Sequence, residues 1–185
     1  MICLSSCMPV LRVGQHDVAH YEANWLEDVI SRAAADAGHD QWWPAADVAR
    51  GVIQFLRDRF HKNIITLHDL FHKIGQTLQG IGFPEIADRI HAEPPPLDLF
   101  LLDFAREAGP GFELLFFRRL SDELASFQEL GVTRLHCLQI REAVLHLLAA
   151  KTWTASCTDF ESEILQFIRD SFQDNSCAPV AGVLL

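Results

Sequence analysis

Apolar residues recur along this chain with two periods, near 2 at the start and near 3.6 over most of the rest, and the changes of period mark the elements. Met8-Pro9-Val10-Leu11-Arg12-Val13, Gly14-Gln15-His16-Asp17 and Val18-Ala19-His20-Tyr21 read as strand, turn and strand. Trp25, Leu26, Val29, Ile30, Ala33 and Ala37 then fall at helical spacing and stop at Gly38, a natural C-terminal cap. Pro44 opens a second helix with the stripe Val48, Val52, Ile53, Leu56 and Phe60, and keeps Arg50, Arg57, Asp58 and Arg59 mainly off it. Thr66 caps a third helix over 67–79, with Asp69 at its third position. Leu67, Leu70, Phe71, Ile74 and Leu78 form its buried face, Gly80 or Gly82 ends it, and Pro84 begins a short helix through Ile90.

The sharpest punctuation is Ala92-Glu93-Pro94-Pro95-Pro96, because consecutive prolines cannot occupy a helix interior and stiffen a linker. Beyond it the spacing predicts helices over 97–108, 112–130, 135–151 and 159–172, broken at Gly109-Pro110-Gly111 and at Gly131. Leu114, Phe117, Leu120, Leu124 and Phe127 are one stripe; Ile164, Phe167, Ile168 and Phe172, capped by Thr158 or Asp159, are another. No repeat shows at a 20–50-residue period. The expected fold is mainly α: a β-hairpin plus helices over 1–91, a proline linker over 92–96, a helical bundle over 97–172, and a tail over 173–185 whose apolar end, Val180–Leu185, could dock.

Three local groupings could carry chemistry. His68-Asp69-Leu70-Phe71-His72 sets two imidazoles at i and i+4 on one helix face, a chelating spacing that mirrors His-Glu-x-x-His with the shorter Asp as base. His136-Cys137 with His146 offers a thiol beside imidazoles, set in an apolar stripe where cysteine usually acts as a small hydrophobe. Trp42-Trp43-Pro44 places tandem indoles at a helix start, either as a plug between helices or as an aromatic platform. The chain has no Gly-x-Ser-x-Gly, no phosphate-cradling Gly-x-x-x-x-Gly-Lys-Ser/Thr and no dinucleotide Gly-x-Gly-x-x-Gly motif.

Residues 8–91 carry a further pattern: hairpin, helix, helix, Thr-capped helix, and a Gly-containing turn into a last helix. Leu11-Arg12-Val13-Gly14 stands where a strand ends in Lys-Arg-x-Gly, and Tyr21-Glu22-Ala23-Asn24-Trp25-Leu26 followed by Ile30 and Ala33 stands for Phe-Asp-x-x-Lys-Ile and Ile-x-x-Ala. Ile65-Thr66, Gly82 and Ile86-Ala87 fit the remainder. This stretch resembles the ATP-cone domain, the regulatory nucleotide-binding module of ribonucleotide reductases and of the repressor of their genes. The resemblance implies an ATP or dATP site at Arg12, Gly14 and Tyr21. Leu11 and Trp25 take the two lysine places, which leaves Arg12 alone to face phosphates and implies a site weakened or repurposed, with Trp25, Trp42 and Trp43 as aromatic surface.

Charge sharpens this picture. The formal net charge is −10, and a phosphate-backbone binder needs the opposite, so nucleic acid is not an expected partner. Residues 1–91 carry 8 basic and 11 acidic groups, while 92–185 carry 7 and 14, so most of the excess lies beyond the prolines. Cys3, Cys7, Cys137, Cys157 and Cys177 include no Cys-x-x-Cys pair, a poor disulfide or zinc framework, and the opening residues lack the basic and apolar stretches of a signal peptide. The expectation is a cytoplasmic protein without a membrane span. Three functions are open: a non-enzymatic regulatory or adaptor protein built on a degenerate cone-like domain; a helical protein–protein interaction module, with a protein partner or as a homodimer, without a small ligand and without cofactor; and a metal-dependent hydrolase using His68, Asp69 and His72.

Overall fold

Val10–Val13 (β1) and His16–Val18 (β2) form the expected hairpin, paired antiparallel with Val13 opposite His16. Its two-residue turn needs a first position with positive φ, and Gly14 supplies it at +59°. The structure, a computed structural model, describes residues 8–173 and divides between Pro95 and Pro96 into two units. Cys3, Cys7, Cys177, the Phe172 side chain and Val180–Leu185 lie outside the described residues.

In the N-terminal unit the hairpin is followed by α1 (Ala23–Asp36), α2 (Ala45–Asp58), β3 (Ile64–Thr66), α3 (Leu67–Gly80) and α4 (Pro84–Ala87). The strand β3 joins β1 in parallel, Leu11 opposite Ile65, to give the order β2-β1-β3. The short run Ile64-Ile65-Thr66 has no period of its own, and a strand of three residues exists only because β1 offers it an edge. Gly38, at φ +86°, lets the chain leave α1: its N–H bonds Ala35 O at 2.9 Å while the His39 N–H reaches back to Ala34 O at 2.8 Å. Thr66 does cap α3, its hydroxyl accepting the Asp69 N–H at 3.0 Å. Leu11, Leu26, Ile30, Leu56, Leu70, Ile74, Leu78 and Ile86 fill the core.

The α2 stripe is a departure. Of Val48, Val52, Ile53, Leu56 and Phe60 only Leu56 is buried; Ala45 and Ala49 supply the rest of the packed face. Alanines let α2 approach α1 closely, which turns the larger apolar residues toward the helix margin.

The C-terminal unit runs β4 (Leu97–Phe100), α5 (Leu101–Ala108), α6 (Glu113–Glu129), β5 (Leu135–Leu138), α7 (Ile140–Leu147) and α8 (Ala155–Gln173). The segments expected to open helices at 97 and 135 are thus strands, paired in parallel with Leu97 opposite Leu135 and Leu99 opposite Cys137. Each is four residues, mainly apolar with one polar side chain, ambiguous alone and decided by its partner. Phe116, Leu120, Leu124, Val144, Leu147, Ile164 and Ile168 pack the core. Both units therefore follow one order, a strand, two helices, a parallel strand and two helices, with β2 added in the first. The molecule is mainly α with a short N-terminal hairpin.

Candidate functional site

Of the residues expected to face a nucleotide, Arg12 and Tyr21 both have partners within the protein. Arg12, on β1, stands opposite Asp17 in the register and makes two hydrogen bonds to it, Nε to Oδ1 at 2.8 Å and Nη2 to Oδ2 at 3.0 Å. Those bonds, reinforced by Coulomb attraction, push the guanidinium further into its protonated range, and the same hydrogen bonding holds the Asp17 carboxyl below the usual carboxylate range. A phosphate approaching Arg12 meets a cation whose Nε–Nη2 edge is already occupied by a carboxylate.

Tyr21 is buried, and its hydroxyl donates to Pro9 O at 2.8 Å, which ties the start of α1 to the start of β1. Burial pushes its pKa up to about 12. Neutral Tyr21 is therefore part of the fold, and its contribution is fully present below the unfolded value near 10 and lost as pH rises through 12. We expect Tyr21→Phe to cost about 1 kcal/mol at neutral pH and to flatten the fall in stability between roughly pH 10 and 12. Urea titrations at pH 7 and pH 11 check both effects.

Trp25 is 4% exposed, edge-on between Tyr21 (6.1 Å) and Phe71 (5.9 Å), and its Nε1 is buried without a hydrogen-bond partner. It is a core residue, which corrects its assignment to aromatic surface. The tandem indoles divide: Trp42 packs against Phe83 at 4.9 Å, while Trp43 is 80% exposed. Of the three tryptophans expected to present a surface, Trp43 does so.

His68 and His72 share an exposed face of α3, their rings nearly parallel (12°) with centroids 6.4 Å apart, and Gln76 lies 3.1 Å from His72 Nε2. Both imidazoles line a cavity of about 290 Å³ with Phe71, Gln76, Gln79 and Ile90. Asp69 is not in that lining; it sits about 100° round the helix from His68, in the capping turn. Among the described residues no three His, Cys, Asp or Glu side chains converge on a metal position.

A second concavity, about 650 Å³, lies between α2 and α3 and was not anticipated from the sequence. Val48, Val52, Phe55, Leu56 and Leu70 give it apolar walls, with Asp47 and Lys73 also lining it. Its signal was available in α2, whose stripe is wider than one packed face requires.

In the C-terminal unit His136 and Cys137 point to opposite faces of β5. His136 Nδ1 lies 3.2 Å from Asp98 Oδ1 on the exposed side, whereas Cys137 stands opposite buried Leu99, where burial pushes its thiol pKa up. A thiol protonated by desolvation and turned from its neighbouring imidazole is a packing group. No helix among the described residues is long and apolar enough to cross a membrane. Neither a protein-family model, a curated protein nor a solved structure matches the chain.

Proposed function

We propose that this chain is a non-enzymatic regulatory or adaptor protein whose N-terminal unit, an ATP-cone-like scaffold, serves protein recognition in place of nucleotide binding. The carrying observation is the α2–α3 groove, where Phe55 is exposed and Val48 and Val52, from the apolar stripe of α2, are only half-buried. The pairing of Arg12 with Asp17 supports the loss of the phosphate role. The occupant is an amphipathic helix with an apolar face and carboxylates on its flank. At the groove Asp47 is already paired with Arg50, while the Lys73 ammonium has no ion-pair partner among the described residues and so favours an acidic ligand.

The probe is a fluorescent synthetic helix with leucines on one face and glutamates beside them, followed by anisotropy. Phe55→Asp should weaken its binding by at least about tenfold, or ~1.4 kcal/mol, and a counterpart with lysines in place of the glutamates should bind more weakly. Phe55 is exposed, so the variant retains its fold. Equal binding by Phe55→Asp would defeat the groove assignment. Millimolar ATP or dATP should leave the melting midpoint unchanged, because a ligand at 100 times its Kd adds about 2.7 kcal/mol and would be plain to see. A raised midpoint would instead return the unit to nucleotide binding.

A further inference from the structure

We propose that His68 and His72 form a two-imidazole half-site for a borderline-soft divalent metal ion, of the Zn²⁺ class, at the cavity beside α3. The pair is one turn apart on one helix face, both rings are exposed, and their planes lie within 12° of each other. Two imidazoles on one tetrahedral ion, with metal–nitrogen bonds of about 2.0–2.1 Å, hold their centroids roughly 5 Å apart. Rotation of the two exposed side chains closes the observed 6.4 Å to that distance at the cost of the His72–Gln76 hydrogen bond.

With the Gln76 amide donating, His72 Nε2 is the acceptor, so its lone pair lies at the nitrogen that an ion would take. Gln76 then becomes a hydrogen-bond partner for a water on the ion, the supporting role that outer-shell groups have at metal centres. Gln76 and Gln79 line the same cavity as both imidazoles, so water would complete the coordination of an ion held there. No carboxylate lines that cavity, so the donor set suits Zn²⁺, Co²⁺ or Ni²⁺ and not the oxygen-seeking Mg²⁺ or Ca²⁺. Asp69 points elsewhere, so the site holds an ion without the general base that hydrolysis by this motif would need.

The 185-residue chain, stripped with chelator and titrated with Co²⁺ and then Zn²⁺, tests this. One ion per chain should bind, with visible d–d bands and no thiolate-to-metal charge-transfer band. His68→Ala and His72→Ala should each weaken binding at least about tenfold, while Asp69→Asn should leave it unchanged. All three positions are exposed, and far-UV circular dichroism verifies that the variants fold. Wild-type affinity in either histidine variant, a thiolate band, or loss of affinity in Asp69→Asn would overturn the two-imidazole site.

Discussion

Trp25→Ala should destabilise the N-terminal unit by about 3–5 kcal/mol, enough to lower its melting midpoint by roughly 15–30 °C. The side chain is 4% exposed and wedged edge-on between Tyr21 and Phe71, so truncation empties a volume bounded by the first turn of α1 and the first turns of α3. Collapse into that void is opposed from both sides: Tyr21 is anchored to Pro9 O, and α3 is fixed by the Thr66 cap. Trp25→Phe separates packing from polarity. It keeps most of the apolar volume and removes the unpartnered indole N–H, whose burial costs about 1–3 kcal/mol, so its net effect should stay within about 1 kcal/mol of wild type. Thermal melting of the three proteins side by side decides the matter. If Trp25→Ala melted like wild type, the ring would be a surface group available to a ligand, as the resemblance implied.

This pair of substitutions also explains what was legible in advance. The hairpin, the Gly38 stop and the Thr66 cap were readable because each is local: alternation, a positive φ and a hydroxyl three residues before an N–H are written within a few positions. Trp25 was correctly placed on a helix, but its depth was not visible, since burial depends on Phe71 from a helix some 45 residues later. Arg12 was legible as a candidate phosphate ligand, and its pairing with a carboxylate was not. Its neutraliser, Asp17, becomes its cross-strand neighbour only through the hairpin register. The α2 stripe was read as core because periodicity reports amphipathicity and says nothing about whether the apolar face is covered. The histidine pair divides in the same way: the i, i+4 spacing is written in the sequence, and the cavity that both rings line exists only once the helix is packed.

Leu99→Asp should unfold the C-terminal unit, with a cost of about 5 kcal/mol or more at neutral pH, whereas Asp98→Leu should change stability by less than about 1 kcal/mol. The contrast follows from the strand period. In β4 the side chains of Leu97 and Leu99 are buried at 3% and 1%, while Asp98 and Phe100 face out and Asp98 meets His136 across the sheet. A helix over 97–108 makes the opposite assignment. Leu101, Leu102, Ala105 and Ala108 define the buried face of α5, and carrying that face back one turn places position 98 on it and position 99 on the far side. The two substitutions therefore exchange roles between the two readings. A carboxylate at position 99 faces Cys137 in the register and has no cation there, so desolvation raises its pKa and the damage grows as pH rises through the shifted value. Denaturant titrations at pH 4 and pH 7 should thus show Leu99→Asp less harmful in acid. A stable Leu99→Asp together with an unstable Asp98→Leu would dissolve the parallel pair β4–β5 and with it the shared strand-helix-helix order of the two units.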